Sequence, residues 1–80
     1  MTREAIFNKV QEYILMQLPV DAALVTEDAS MIDDLGADSA NLMMLIMDLE
    51  TEFETQVVDD ALGSIKTVGD IVDYIAKRIN

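Results

Sequence analysis

Leu42 to Met47 is an unbroken run of six apolar residues, placed just after the stretch DDLGADS, residues 33 to 39. A helix on the surface of a small domain needs only one apolar face. On a wheel of about 100° per residue, Leu42, Leu45, Ile46, Leu49 and Phe53 share a face at i, i+3, i+4, i+7 and i+11. Ala40, Met44, Met47 and Thr51 point the other way, with Met43 at the side. The run is therefore wider than a core face. Two or three methionines are expected in solvent, unless a loop or a short neighbouring helix covers them. Methionine adapts well to binding surfaces. The strip is flanked by Asp48, Glu50 and Glu52.

The rest of the chain also reads as helix. Ile6, Val10, Tyr13, Ile14 and Gln17 keep a helical rhythm in a first segment from Thr2 to Leu18. Thr2 can cap its start, and Pro19 disfavours helical geometry at Leu18. A long loop is expected from Pro19 to Asp38, with Leu24, Val25, Met31, Ile32 and Leu35 tacking it to the core. A loop of that length in a small domain is often functional. The second helix runs from about Ser39 to Phe53. A short helical turn is expected around Asp59 to Leu62, stopped by Gly63. The last helix opens on Thr67-Val68-Gly69-Asp70, a capping-box pattern with Asp in place of Glu. Its apolar stripe is Val68, Ile71, Val72, Ile75 and Ile79, and Lys77 and Arg78 suit its last turn. The expected fold is all-α: a single domain over residues 1–80, built as a small four-helix bundle of three main helices and one short one.

Composition narrows the function. With 51% hydrophobic residues the 80-residue chain can build a core. Sixteen acidic against five basic residues give a net charge of −11. That sign opposes binding to nucleic acid and to an anionic membrane surface. It suits basic protein partners, although solubility alone would also account for it. There is no cysteine and no histidine. A disulfide framework and a thiolate metal site are excluded, and the usual proton shuttle near neutral pH is missing. No run approaches the roughly 20 apolar residues of a membrane span. The start, MTREAIFNKV, lacks the apolar core of a secretory signal. A cytoplasmic, monomeric protein is expected.

Ser39 stands where a helix begins. A serine there is most often a cap, and either Asp38 or Ser39 could serve. Neither has Glu or Gln three residues on, so no capping box is expected. A helix start is also a favourable place for a phosphate group.

The stretch DDLGADS, the apolar-acidic helix ending LETEF, and IKTVGDIVDYI together resemble the acyl carrier protein family. The resemblance runs from the first helix to Ile75. It implies that Ser39 carries 4′-phosphopantetheine, attached covalently from coenzyme A. It implies that Asp38 is the neighbouring acid recognised by the phosphopantetheinyl transferase. A carrier of this kind is not an enzyme. It holds acyl groups as thioesters for loading and processing enzymes such as ketosynthases, in fatty-acid, lipid or polyketide-type biosynthesis. Its partner-facing residues would be Ala40, Met43, Met44, Met47, Asp48, Glu50 and Thr51. No catalytic or metal-binding residue is implied.

The chain also departs from the family pattern. The family usually has Leu where Ala40 stands, an acidic residue where Asn41 stands and Glu where Met44 stands. These departures suggest a specialised carrier whose partner offers an apolar pocket. A peptidyl or D-alanyl carrier would use the same serine. A carrier-like structural subunit would use Ser39 only as a cap. A calcium sensor fits poorly: aligning Gly36 with the central glycine of a calcium loop puts Met31 and Leu42 where carboxylates are needed.

Overall fold

Thr2 and Pro19 set the limits of the first helix, α1, which spans Arg3–Gln17. The Thr2 hydroxyl accepts the N–H of Ala5 at 3.1 Å. Leu18, held extended by Pro19, closes the far end at φ −121°, ψ 140°. The computed structural model describes residues 2–56 and 63–79. Two further helices follow, α2 over Ser39–Phe53 and α3 over Val68–Ile79. Between α1 and α2 lies one turn of 3₁₀ helix, Ala22–Leu24. The three main helices fall where their periodicity placed them. The short turn expected around Asp59 to Leu62 lies outside the described residues.

α1 packs against both α2 and α3. It contributes Ile6, Val10 and Ile14 to the core. α2 contributes Leu45, Ile46 and Leu49, and α3 contributes Val68, Ile71, Val72 and Ile75. Leu42, Phe53 and Ile79 pack against this core while partly exposed. No polar or charged side chain is buried among the described residues. The interior is a hydrocarbon core whose drive is burial of apolar area.

The long loop is anchored more firmly than its composition suggests. Val25, Met31 and Leu35 are buried as expected, and Ala29 and Ala37 join them. Leu24 and Ile32 do not serve as anchors; each is 56% exposed. Backbone pairing replaces them. Residues 29–31 run antiparallel to 66–68, with the Met31 N–H donating to the Lys66 carbonyl and the Val68 N–H to the Ala29 carbonyl, both at 3.0 Å. The Gly69 N–H donates to the Glu27 carbonyl at 2.8 Å. A Cβ on Gly69 would lie 2.9 Å from that same oxygen, so a side chain there would push the loop away. Outside, the Arg3 guanidinium pairs with both Glu27 and Asp73, joining the start of α1, the loop and α3.

α1 and α2 share a polar seam at the surface. Gln17 Nε2 donates to Asp48 Oδ2 at 2.6 Å, and the Tyr13 hydroxyl to Glu52 Oε1 at 2.8 Å. Lys9 Nζ lies 3.8 Å from the same Glu52 oxygen. The hydrogen bond to Glu52, with desolvation and nearby carboxylates, raises the Tyr13 phenol above its ordinary value.

Candidate functional site at the start of α2

The loop delivers the chain to α2 through a tight hydrogen-bonded turn. The Asp34 and Leu35 N–H groups donate to the Ser30 carbonyl at 3.0 and 3.1 Å. Asp34 Oδ2 accepts the Ser30 N–H at 2.7 Å. The Ala37 N–H then reaches the Met31 carbonyl at 2.9 Å. Leu35 and Ala37 both point inward. Gly36 between them adopts φ +73°, a left-handed conformation that side chains disfavour. This alternation brings Asp38 and Ser39 out at the surface.

Asp38, not Ser39, is the cap. It is extended at φ −98°, ψ −178°, and its Oδ1 accepts the Asn41 N–H at 2.8 Å. The Asn41 side-chain oxygen accepts the Asp38 N–H in return, at 3.2 Å. This is a complete capping box, contrary to the sequence expectation of none. The amide oxygen of Asn41 does what Glu or Gln does in the usual pattern. Asn41 is therefore a residue that sequence reasoning missed. The Asp-x-x-Asn spacing was the available signal.

The box leaves Ser39 unemployed by the helix. Its residue is exposed, and its hydroxyl makes no hydrogen bond among the described residues. A helix start has four backbone N–H groups without intrahelical acceptors. Here the capping box occupies those of Asp38 and Asn41. Those of Ser39 and Ala40 remain without a partner among the described residues, beside the serine hydroxyl. The positive end of the helix dipole lies at this point.

α2 then presents two unlike faces. Leu45, Ile46 and Leu49 are at most 3% exposed, whereas Met43, Met44 and Met47 are 43%, 58% and 59% exposed. Ala40 and Thr51 are exposed with them, and Thr51 returns its hydroxyl to the Met47 carbonyl at 3.2 Å. Glu50 is half-buried. Asp48 lies on the α1 side, engaged by Gln17. One turn along α2 from Ser39, a recess of about 310 Å³ is lined by Ser30, Met31, Ile32, Asp33, Leu42, Ile65 and Lys66. Among the described residues, no three carboxylates are grouped to hold a metal ion. No helix there is long and apolar enough to cross a membrane.

The family described as phosphopantetheine attachment site matches residues 8–75. The acyl carrier protein of Thermotoga maritima is 54% identical over 78 residues, covering 98% of this chain and 96% of its own length. This chain belongs to the acyl carrier protein family. The acyl carrier protein of Exiguobacterium sibiricum is 47% identical over 79 residues, covering 99% of this chain and all of its own. The solved structure of the acyl carrier protein from Enterococcus faecalis superposes with a TM-score of 0.81 at 40% identity, covering 96% and 98% of the two chains. The prosthetic group of this carrier family is 4′-phosphopantetheine. The start of α2 fits such a group. It offers an exposed hydroxyl for an ester and two bare backbone donors that favour a phosphate. Its drawback is the nearby carboxylates of Asp33, Asp34 and Asp38, all exposed to water.

Proposed function

We propose that this chain carries acyl groups on a 4′-phosphopantetheine arm esterified to Ser39. The observation that supports this reading is the division of labour at the start of α2. Asp38 and Asn41 cap the helix, which leaves the Ser39 hydroxyl exposed and free of structural duty. The reading of Ser39 as a mere cap loses its basis.

Each residue then has a role. The Ser39 oxygen takes the phosphodiester, and the adenosine bisphosphate half of coenzyme A departs. The first-turn N–H groups and the helix dipole favour the phosphate's charge. Asp38 keeps its second carboxylate oxygen available as a recognition point for the phosphopantetheinyl transferase. The arm supplies a terminal thiol on which an acyl group is held as a thioester. The apolar recess beside Leu42 and Ile65 gives a short acyl chain a place to lie out of water. The chain itself has no histidine or cysteine and brings no catalytic group to the reaction. Partner enzymes of the acyl-loading and ketosynthase kinds do the chemistry, in fatty-acid, lipid or polyketide-type biosynthesis. They meet the exposed face of α2: Ala40, Met43, Met44, Met47, Glu50 and Thr51. The curated relatives bear the name acyl carrier protein, which favours an acyl over an aminoacyl cargo. We place the work of the chain in the cytoplasm, as a single monomeric carrier domain.

The test is intact mass before and after incubation with coenzyme A and a broad-specificity phosphopantetheinyl transferase, with Ser39→Ala alongside. A gain of one phosphopantetheine in the wild type and none in the variant is expected. An empty wild type that also refuses the group with its own transferase would sink the proposal.

A further inference from the structure

The recess beside Leu42 and Ile65 is graded from its floor to its mouth. Met31 and Ile65 form the floor, 2% and 6% exposed. Ser30 and Leu42 are half-buried, and Ile32, Asp33 and Lys66 are exposed at the mouth. A pocket for plain hydrocarbon has no use for two opposite charges at its entrance. Nor do these two neutralise each other. The ion pairs among the described residues engage Arg3 and Lys9, not Lys66 or Asp33. The Lys66 backbone is pinned on both sides: its N–H donates to Asp70 Oδ2 and its carbonyl accepts the Met31 N–H, both at 3.0 Å. The Asp33 N–H donates to Ser30 Oγ at 3.1 Å. Two different segments thus bring an ammonium and a carboxylate to one small opening on fixed backbone, and neither has an ionic partner among the described residues.

We infer that Lys66 and Asp33 recognise an oxygen on the third carbon of the acyl cargo, so that the recess holds a 3-hydroxyacyl chain in preference to a saturated one. This rests on the carrier reading of Ser39. A chain tethered through its thioester leaves its first carbons at the mouth and sends its tail to the floor. A hydroxyl two carbons beyond the thioester carbonyl then lies level with the charged pair. A hydroxyl is both donor and acceptor. It accepts from the Lys66 ammonium and donates to the Asp33 carboxylate, and hydrogen bonds to charged groups are the stronger kind. A saturated chain offers neither group. It strips water from both charges as it enters and returns nothing to them, which is costly. Below the mouth, Met31, Leu42 and Ile65 receive the hydrocarbon tail of either chain. Lys66 and Asp33 select the cargo and do no chemistry on it.

The experiment loads the carrier with octanoyl and with 3-hydroxyoctanoyl groups, each transferred with its arm from the matching acyl-coenzyme A by a broad-specificity phosphopantetheinyl transferase. Hydroxylamine then cleaves the thioester, more slowly when the chain lies in the recess. The ratio of the two rates is read within wild type, Lys66→Met, Lys66→Arg and Asp33→Ala, so that a change common to both cargoes cancels. The free acyl-coenzyme A thioesters supply the intrinsic ratio. Intact mass establishes loading of every variant, and the helical signal establishes folding. In the wild type the 3-hydroxyoctanoyl group is expected to be released about threefold more slowly than the intrinsic ratio gives, the size of an exposed charge-assisted contact. Lys66→Met and Asp33→Ala should return the ratio to its intrinsic value, and Lys66→Arg should keep the difference. A wild-type ratio equal to the intrinsic one would overturn the inference, as would a ratio that Lys66→Met leaves unchanged. In both cases the carrier reading stands, since both cargoes are then loaded at Ser39. Failure of the wild type to load at Ser39 would overturn both readings together.

Discussion

The starts of α2 and α3 are built alike and finished differently. Both carry a capping box: Asp38 with Asn41 at α2, Thr67 with Asp70 at α3. At α3 the next two N–H groups, Val68 and Gly69, are taken by the Ala29 and Glu27 carbonyls of the loop. At α2 the corresponding groups, Ser39 and Ala40, have no partner among the described residues. The faces diverge in the same sense. α3 buries Val68, Ile71, Val72 and Ile75 and shows Asp73, Lys77 and Arg78 to water. α2 shows methionines. One helix is closed at its start and matched to the core. The other is open at its start and more apolar than folding requires. Local rules are most often left unsatisfied where a protein functions, and here both departures fall on the helix that carries Ser39.

The largest effect that separates the two starts is on loading. Ser39→Ala should abolish transfer of the phosphopantetheine group while leaving the melting temperature unchanged, because Asp38 keeps the cap. Mass spectrometry and thermal melting check the two halves. A large fall in melting temperature would mean that Ser39 belongs to the cap after all.

Next comes the contrast between the faces. Leu45→Ala in α2 and Ile71→Ala in α3 each remove a side chain at most 2% exposed. Each should lower stability by about 2–5 kcal/mol. Met44→Ala, one residue from Leu45, should change it by less than about 0.5 kcal/mol. Denaturant titration measures all three. A Met44 cost like that of Leu45 would make the strip part of the core and remove the case for a docking face.

The closed start of α3 depends on Gly69. Gly69→Ala puts a methyl group against the Glu27 carbonyl, and overpacking of this kind costs about 1–3 kcal/mol. Hydrogen exchange at Met31 and Val68 should quicken, since both take part in the loop pairing that Gly69 closes. An unchanged exchange rate would show that the loop does not depend on this close approach.

Much of this was legible in the sequence, for local reasons. Thr2, Pro19 and the Thr67–Asp70 pattern act on their immediate neighbours, so the ends of α1 and the start of α3 follow from the residues themselves. The outward methionines follow from the helical period. What the residues did not disclose is nonlocal or uses a substitute group. The pairing of Ala29 and Met31 with Lys66 and Val68 joins segments more than thirty residues apart. Leu24 and Ile32 look like anchors, yet the loop is held by the buried Ala29 and Ala37 and by the backbone pairing of residues 29–31 with 66–68. The choice between Asp38 and Ser39 as cap turns on Asn41, whose amide oxygen accepts the Asp38 N–H in place of the usual Glu or Gln. The reading of Ser39 as the attachment residue came from a resemblance, and the geometry of its free hydroxyl supports it.

The α3 cap also has a pH signature. Asp70 Oδ2 accepts the Lys66 and Thr67 N–H groups at 3.0 and 3.1 Å. These backbone bonds, Lys66 first, hold its carboxyl below the ordinary aspartate value. A carboxylate with a depressed folded value stabilises fully above its unfolded value of about 3.9. That contribution is lost as pH falls through the lower, folded value. Asp70→Asn should therefore cost stability at pH 7, about 1 kcal/mol for a lost cap, and the loss should shrink below pH 4. A difference that stays constant with pH would mean that the charge of Asp70 contributes nothing to the cap.

The far ends of the two helices carry the same contrast at its smallest. α3 ends with Lys77 and Arg78 in its last turn, where cations suit the dipole. α2 has no basic residue there and closes on Glu54, which adopts φ 51°, ψ 47° with its N–H on the Glu50 carbonyl. A left-handed non-glycine residue costs roughly 1 kcal/mol, and a glycine would relieve it at some entropic cost in the unfolded chain. Glu54→Gly should thus raise stability by a few tenths of a kcal/mol, the balance of these two effects. Glu54→Lys separates the causes: it removes the misplaced carboxylate but keeps the side chain in the left-handed conformation. If Lys stabilises and Gly does not, the charge at the end of α2 matters and the backbone strain does not. If Gly alone stabilises, the strain is real, and α2 tolerates a local defect at its end as well as at its start.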